Sequence, residues 1–238
     1  MLKIVKAVIV FATLQDIVLA RVAPDFIKAC PAITPACLKK NIQDTLPAFI
    51  KGVPSLNIEP TDPLQLMVKD FEPQAGIKLS LDGRMTGIKT CIVDSAKYEK
   101  NILDIDLHCN ITIKGKYQAS GRILIVSING DGDAKIKGNN IIVNARLKFE
   151  DQVRNGITYH VLKDTAVKHR FGDRVHFALT NLFKGNPEIS NAVLTFLNEN
   201  WKEVAHELGT PVVNLAVKRV LDIVKKLFTS VPKSELFP

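Results

Sequence analysis

Between positions 187 and 228 the apolar residues fall at helical spacing. Ile189, Val193, Phe196, Leu197, Trp201, Val204 and Leu208 recur every three or four positions, which lines one face of an α-helix. After Gly209-Thr210-Pro211 the run resumes with Val212, Val213, Ala216, Val217, Val220, Leu221, Ile223, Val224, Leu227 and Phe228. Projected at about 100° per residue, this arc covers roughly half the circumference. Asn214, Lys218, Asp222, Lys225 and Lys226 form the narrower polar stripe. So wide an apolar face needs a large cover. Gly209 and Pro211 predict a kink or short break between the two runs.

The cover lies in the middle of the chain, where the period changes to two. Ile77-x-Leu79-x-Leu81, Leu103-x-Ile105-x-Leu107 and Ile111-x-Ile113 alternate, and residues 123–128, 141–149, 158–167 and 175–182 read as further strands. Turns are expected at Asp82-Gly83, Asn129-Gly130-Asp131-Gly132, Gly138-Asn139, Asn155-Gly156 and Gly172-Asp173. Short spacing and Asn-Gly or Asp-Gly turns predict an antiparallel meander. A shorter helix precedes it. Thr34 reads as the N-cap, Pro35 as the first helical residue and Gly52 as the stop, with Leu38, Ile42, Leu46, Phe49 and Ile50 on the apolar side. The fold class is therefore α+β. No linker or shift in composition divides it, so residues 21–238 form one domain.

The first twenty residues read as a leader. Lys3 and Lys6 form a basic start, residues 7–20 are mostly apolar, and Val18-Leu19-Ala20 offers a small-residue cleavage site. The apolar run is too short to span a bilayer, and no later stretch is apolar enough to insert. The expected mature protein is exported, with a net charge of about +7 against +8 for the whole chain. The lysines are scattered and aromatic residues make up only 6%. A solvated basic surface explains this better than a nucleic-acid partner.

Four cysteines, Cys30, Cys37, Cys91 and Cys109, suit disulfides in an exported chain. Cys30 and Cys37 are the natural close pair. A hairpin with its tip near residues 98–101 would set Cys91 opposite Cys109; two buried free thiols are the alternative. One glycosylation sequon, Asn110-Ile111-Thr112, falls on a strand.

Catalytic and metal patterns fail on inspection. His206-Glu207-Leu208-Gly209-Thr210 has Thr where a zinc-protease helix needs its second His. The stretch starting Asn129-Gly130-Asp131 puts Ala134 and Asn140 where a calcium loop needs Gly and Glu. There is no nucleophile elbow, phosphate loop or dinucleotide fingerprint. The reading is a non-enzyme without cofactor or metal.

Several stretches in order carry a resemblance: Cys30-x₆-Cys37-Leu38, Gly52-x-Pro54, Thr61-Asp62-Pro63-Leu64, Gly115-x-Tyr117, Gly121-x-Ile123-Leu124, Gly130-x-Gly132, Asn181-Leu182-Phe183-x-Gly185, Phe196-Leu197-Asn198-Glu199-Asn200-Trp201 and Leu236-Phe237-Pro238. Together they resemble the insect takeout / juvenile-hormone-binding protein family. The resemblance implies a long helix wrapped in a highly curved antiparallel sheet, an apolar tunnel and a Cys30–Cys37 disulfide. It implies a secreted haemolymph carrier of a lipophilic ligand: juvenile hormone in one branch, other terpenoids, quinones or fatty acyl chains in the other. The hormone-binding branch carries a further disulfide downstream. No cysteine follows Cys109 here, so the likeness is to the takeout-like branch.

The side chains expected to face the tunnel are Phe49 on the first helix and Leu66, Leu79, Leu103, Ile105, Ile125, Phe177 and Leu179 on the sheet. Phe183, Val193, Phe196, Leu197, Trp201 (the sole tryptophan) and Val220 follow at or on the C-terminal helices. Plain core packing competes with this role at each position. A rival function is a basic, defence-type protein acting at lipid or membrane surfaces.

Overall fold

The computed structural model describes residues 21–74, 76–123 and 126–237. The expected leader lies outside them. Helix α1 spans Pro35–Phe49, capped by the Thr34 side chain, which accepts from the Cys37 N–H. A 3₁₀ turn follows at Pro54–Leu56. The strands are β1 (Leu64–Gln74), β2 (Ile77–Thr86), β3 (Ile92–Glu99), β4 (Ile102–Ile123), β5 (Val126–Arg154), β6 (Ile157–Phe171) and β7 (Val175–Leu179). The last part is helical: α2 (Pro187–Glu199), α3 (Trp201–Val204), a π-helical turn (Ala205–Gly209), α4 (Thr210–Ser230) and α5 (Lys233–Leu236).

All seven strands form one antiparallel sheet. Its spine is the pair β4–β5, in register from Ile102↔Lys148 to Ile123↔Val126. One edge of β4 carries β3 and then β2, and one edge of β5 carries β7 and then β6. At 29 residues, β5 is several times the usual strand length. A strand that long fits a small domain only if it curls.

The glycines read as turns supply that curl. Asp82-Gly83, Asn129–Gly132 and Gly138-Asn139 all lie inside strands, which corrects three of the expected turns. Gly83 pairs with Gly115, and a Cβ on Gly115 would sit 2.3 Å from the Gly83 Cα. Only paired glycines let the two strands approach so closely. At Gly138-Asn139 the ladder steps from Cys109↔Ile141 to Ile111↔Gly138, with Asn140 at φ 50°. This bulge changes which parity of β5 faces inward: Ala134 and Ile136 before it, Ile141, Val143 and Ala145 after it. The turns at Asn155-Gly156 and Gly172-Asp173 are real. Asn155 (φ 51°) and Gly156 (φ 78°) are both left-handed, as a two-residue hairpin with the primed twist requires.

The long C-terminal helix lies against this sheet. Its break falls at Asn200 (φ −99°, ψ 32°), where the side-chain amide donates to the Phe196 carbonyl. Where a kink or short break is expected at Gly209 and Pro211, a π turn ending at Gly209 carries the helix through to α4. Widening one turn absorbs the donor that Pro211 lacks. Cys30–Cys37 and Cys91–Cys109 are both joined, with Cα separations of 5.9 and 4.1 Å. The second sits just beyond Ile92↔His108, the last pair of the β3–β4 hairpin.

Candidate functional site

The helices do not fill the curled sheet. Between them lies a cavity of about 1010 Å³. Its wall takes inward positions of β4 (Leu103, Ile105, Leu107, Ile111, Ile113) and β5 (Ile136, Ile141, Val143, Ala145). Opposite stand Val212, Val213, Ala216, Val217, Val220 and Val224 of α4. One end is bounded by Ile42, Leu46 and Phe49 of α1, the other by Val193, Leu197, Val204 and Leu208. Small and β-branched residues dominate the facing surfaces, so neither side reaches far enough to fill the gap.

Of the expected tunnel residues, Phe49, Leu79, Leu103, Ile105, Phe177 and Leu179 stand on the wall, as do Phe183, Val193, Leu197 and Val220. Ile125 lies outside the described residues. Leu66 is fully buried among Leu64, Met85, Ile113 and Ala216, in the packing rather than at the cavity. Trp201 packs against Val175, Phe177 and Ala205 behind the wall. Phe196 points outward and is 59% exposed. Two polar residues turn α2 this way. The Asn198 side chain accepts from the Phe177 N–H (2.9 Å) and donates to the Phe177 carbonyl (2.8 Å). Ser190 Oγ accepts from the Phe183 N–H (3.0 Å). These inward hydrogen bonds set the rotation of α2 and leave Phe196 on the opposite flank.

Sequence reasoning passed over Met85, Tyr117, Val143, Ala145 and most of α4. Strand parity would have found the first two. The β5 positions were hidden by the parity change at the bulge.

Polar groups on the wall are few. Tyr117 donates to the Thr180 carbonyl (2.8 Å), and burial, helped by nearby Asp131, pushes its pKa up to about 12. It stays a neutral donor at any physiological pH. The Asn41 amide donates to the Lys28 carbonyl (2.8 Å), and Ser80 Oγ accepts from the Asp70 N–H (3.0 Å). The charged residues on the wall, Lys28, Glu203 and Glu207, are exposed. Thr61 is buried at 2% exposure. Among the described residues no cluster of His, Cys, Asp and Glu could hold a metal ion. No described helix is long and apolar enough to cross a membrane.

The α1 end is closed by a different kind of packing. His160 is fully buried. Its Nε2 lies 2.7 Å from the Tyr98 hydroxyl and its Nδ1 2.6 Å from Asp151, whose other oxygen accepts from Lys233 of α5 at 2.7 Å. Phe149 stacks on the His160 ring and meets Phe228 edge-on. Phe237 stacks on Tyr98. Burial pulls the His160 pKa down, against the opposing pull of the Asp151 hydrogen bond. Lys233 and His160 hold the Asp151 carboxyl below its ordinary range.

Fold and cavity together define an α+β container: a long helix enclosed by a curled antiparallel sheet, with an apolar interior left open between them. The chain belongs to the haemolymph juvenile hormone binding protein family, whose model matches residues 7–238. It is 33% identical to Takeout 1 of Epiphyas postvittana, and the two structures superpose with a TM-score of 0.80 over 89% of this chain and 99% of that one. It is also similar to the circadian clock-controlled protein daywake. The Drosophila melanogaster protein is 27% identical over 231 residues, covering 90% of this chain and 88% of that protein. The Drosophila yakuba protein is 26% identical over 232 residues, with the same coverage.

Proposed function

We propose that this protein is a secreted carrier that reversibly binds one small, elongated, lipophilic molecule inside the cavity and performs no chemistry on it. The observation that carries the reading is a large, almost wholly apolar space that the protein's own side chains leave open. Burying apolar ligand surface contributes about 0.8 kcal/mol per methylene, so ten methylenes give on the order of 8 kcal/mol. That corresponds to roughly micromolar affinity before entropic costs. Terpenoids, fatty acyl chains and quinones all meet this requirement. Family membership supports a carrier in haemolymph or a similar fluid. Leu103 and Ile105 on the sheet and Val193, Leu197 and Val220 on the helices would touch the guest.

Native mass spectrometry of the secreted protein, followed by organic extraction, tests the reading. A stoichiometric, mostly apolar small molecule is the expected result. A ligand-free protein that also takes up no fatty alcohol, terpenoid or quinone would refute it.

A further inference from the structure

Thr61 has a hydroxyl that the protein does not use. Its backbone is fixed on both sides. The Thr61 N–H donates to the Ile50 carbonyl at 2.9 Å. The carboxylate of the next residue, Asp62, accepts from the N–H groups of Gly87 (3.1 Å) and Lys89 (2.9 Å). The Thr61 hydroxyl makes no hydrogen bond to any described residue. It is not sealed off either, since no fully occluded side-chain oxygen or nitrogen among the described residues lacks a partner. The residue is 2% exposed overall and lies on the cavity wall. Thr45 is a second wall residue, on the inner face of α1 between Asn41 and Phe49, also with a hydroxyl free of described partners. A buried hydroxyl left without a partner is destabilising, and a rigidly held one is suited to a guest that completes it.

We propose that Thr61, with Thr45 as a second wall hydroxyl, anchors the polar end of the ligand, and that this end is a neutral oxygen: an alcohol, ester or ketone rather than a carboxylate. This rests on the carrier reading above. A hydroxyl can both donate and accept, so it serves each of these groups. A carboxylate would need a buried cation. Lys28, the one lysine among the described wall residues, is exposed.

The test is displacement of a fluorescent apolar dye by hexadecanol, methyl hexadecanoate, hexadecanoic acid and hexadecane at neutral pH. Wild-type protein, Thr61→Val and Thr61→Ser are compared, with thermal melts confirming that each is folded. In the wild type, the alcohol and the ester should bind more tightly than the acid. Thr61→Val should weaken the alcohol and ester about three- to tenfold, the value of one neutral hydrogen bond, and leave hexadecane unchanged. Thr61→Ser keeps the hydroxyl and should keep the preference. An equal loss for hexadecane in Thr61→Val would mean packing only and would overturn the proposal. So would an acid that binds most tightly and weakens in Lys28→Ala. If Thr61→Val does not fold, the order of the four probes on the wild type decides. Failure of the dye and all four probes to bind the wild type removes the carrier reading itself, a result distinct from uniform binding without head-group preference.

Discussion

The two ends of the cavity are closed by different physics. At the α1 end, aromatic rings pack around a buried imidazole whose two ring nitrogens are both partnered. Tyr98, Asp151, Lys233 and His160 form one chain of hydrogen bonds, and two disulfides hold the neighbouring segments. The α2 end has no covalent tie. It is held by the Asn198 and Ser190 side chains bonding to backbone, it includes a π turn, and it leaves Phe196 and Ile189 in solvent. A container needs one firm end to define its shape and one that can yield for exchange. For the proposed carrier, exchange is expected at the end without a covalent tie, α2 and α3.

Equivalent cuts at the two ends would break this contrast most directly. Phe149, 2% exposed, is enclosed by His160, Phe228 and Phe237. Phe149→Ala should cost about 3–5 kcal/mol in chemical denaturation. Phe196→Ala, at the exposed flank of α2, should change stability by less than about 0.5 kcal/mol. Equal losses would show that the ends are alike. Replacing Cys30 and Cys37 together by serine should cost about 2.5 kcal/mol for so short a loop in the chain-entropy model. The loss should appear in the denaturation midpoint of the oxidised protein and vanish when both proteins are compared in reductant.

Asn198→Ala sharpens the comparison at the other end. The side chain bonds to the Phe177 N–H and carbonyl and to the Leu194 carbonyl. Its removal leaves buried backbone groups of β7 without those partners, a loss of about 1–3 kcal/mol. Because α2 carries Val193 and Leu197 onto the cavity wall, the ligand dissociation rate should rise along with the loss of stability. A ligand release rate that stays at the wild-type value would place exchange elsewhere.

How much of this was legible beforehand depends on whether a residue's role is local. The period-two and helical runs gave the α+β class, the order of elements and Cys91 facing Cys109. These depend only on alternation and turn chemistry. The long strands were not legible, because a glycine at a turn and a glycine inside a strand look identical in sequence: Gly83 and Gly138 read as turns, yet Gly83 lies where two strands nearly touch and Gly138 lies at a bulge. The same limit applied to the site. Leu103, Ile105 and Val220 follow from parity and face. Phe196 does not, because its outward aim is set by Asn198 and Ser190 reaching backbone groups of Phe177 and Phe183 outside the helix. Leu66 and Trp201 have the right character, but whether they border space or packing depends on the third layer.

The smallest expected effect separates the ends by pH. Burial depresses the His160 pKa below its ordinary value of 6.5, so above that pH the imidazole is neutral in both folded and unfolded chains and contributes no pH dependence. As pH falls below 6.5, the unfolded chain takes up a proton that the folded chain refuses. Stability therefore decreases until the folded pKa is reached, with a slope of at most about 1.4 kcal/mol per pH unit for one such group. His169 is depressed in the same direction by burial and by His206, so it adds to the same window. His160→Gln removes the titrating group at the closed end, and His169→Gln removes the other. Denaturation midpoints measured between neutral pH and pH of about 5 should flatten in part with either variant and almost fully with both. If the slope becomes steeper in His160→Gln, the folded imidazole holds its proton more tightly than the unfolded one. The Asp151 hydrogen bond would then outweigh burial, and the closed end would be held by a charged triad of Lys233, Asp151 and His160 rather than by aromatic packing around a neutral ring.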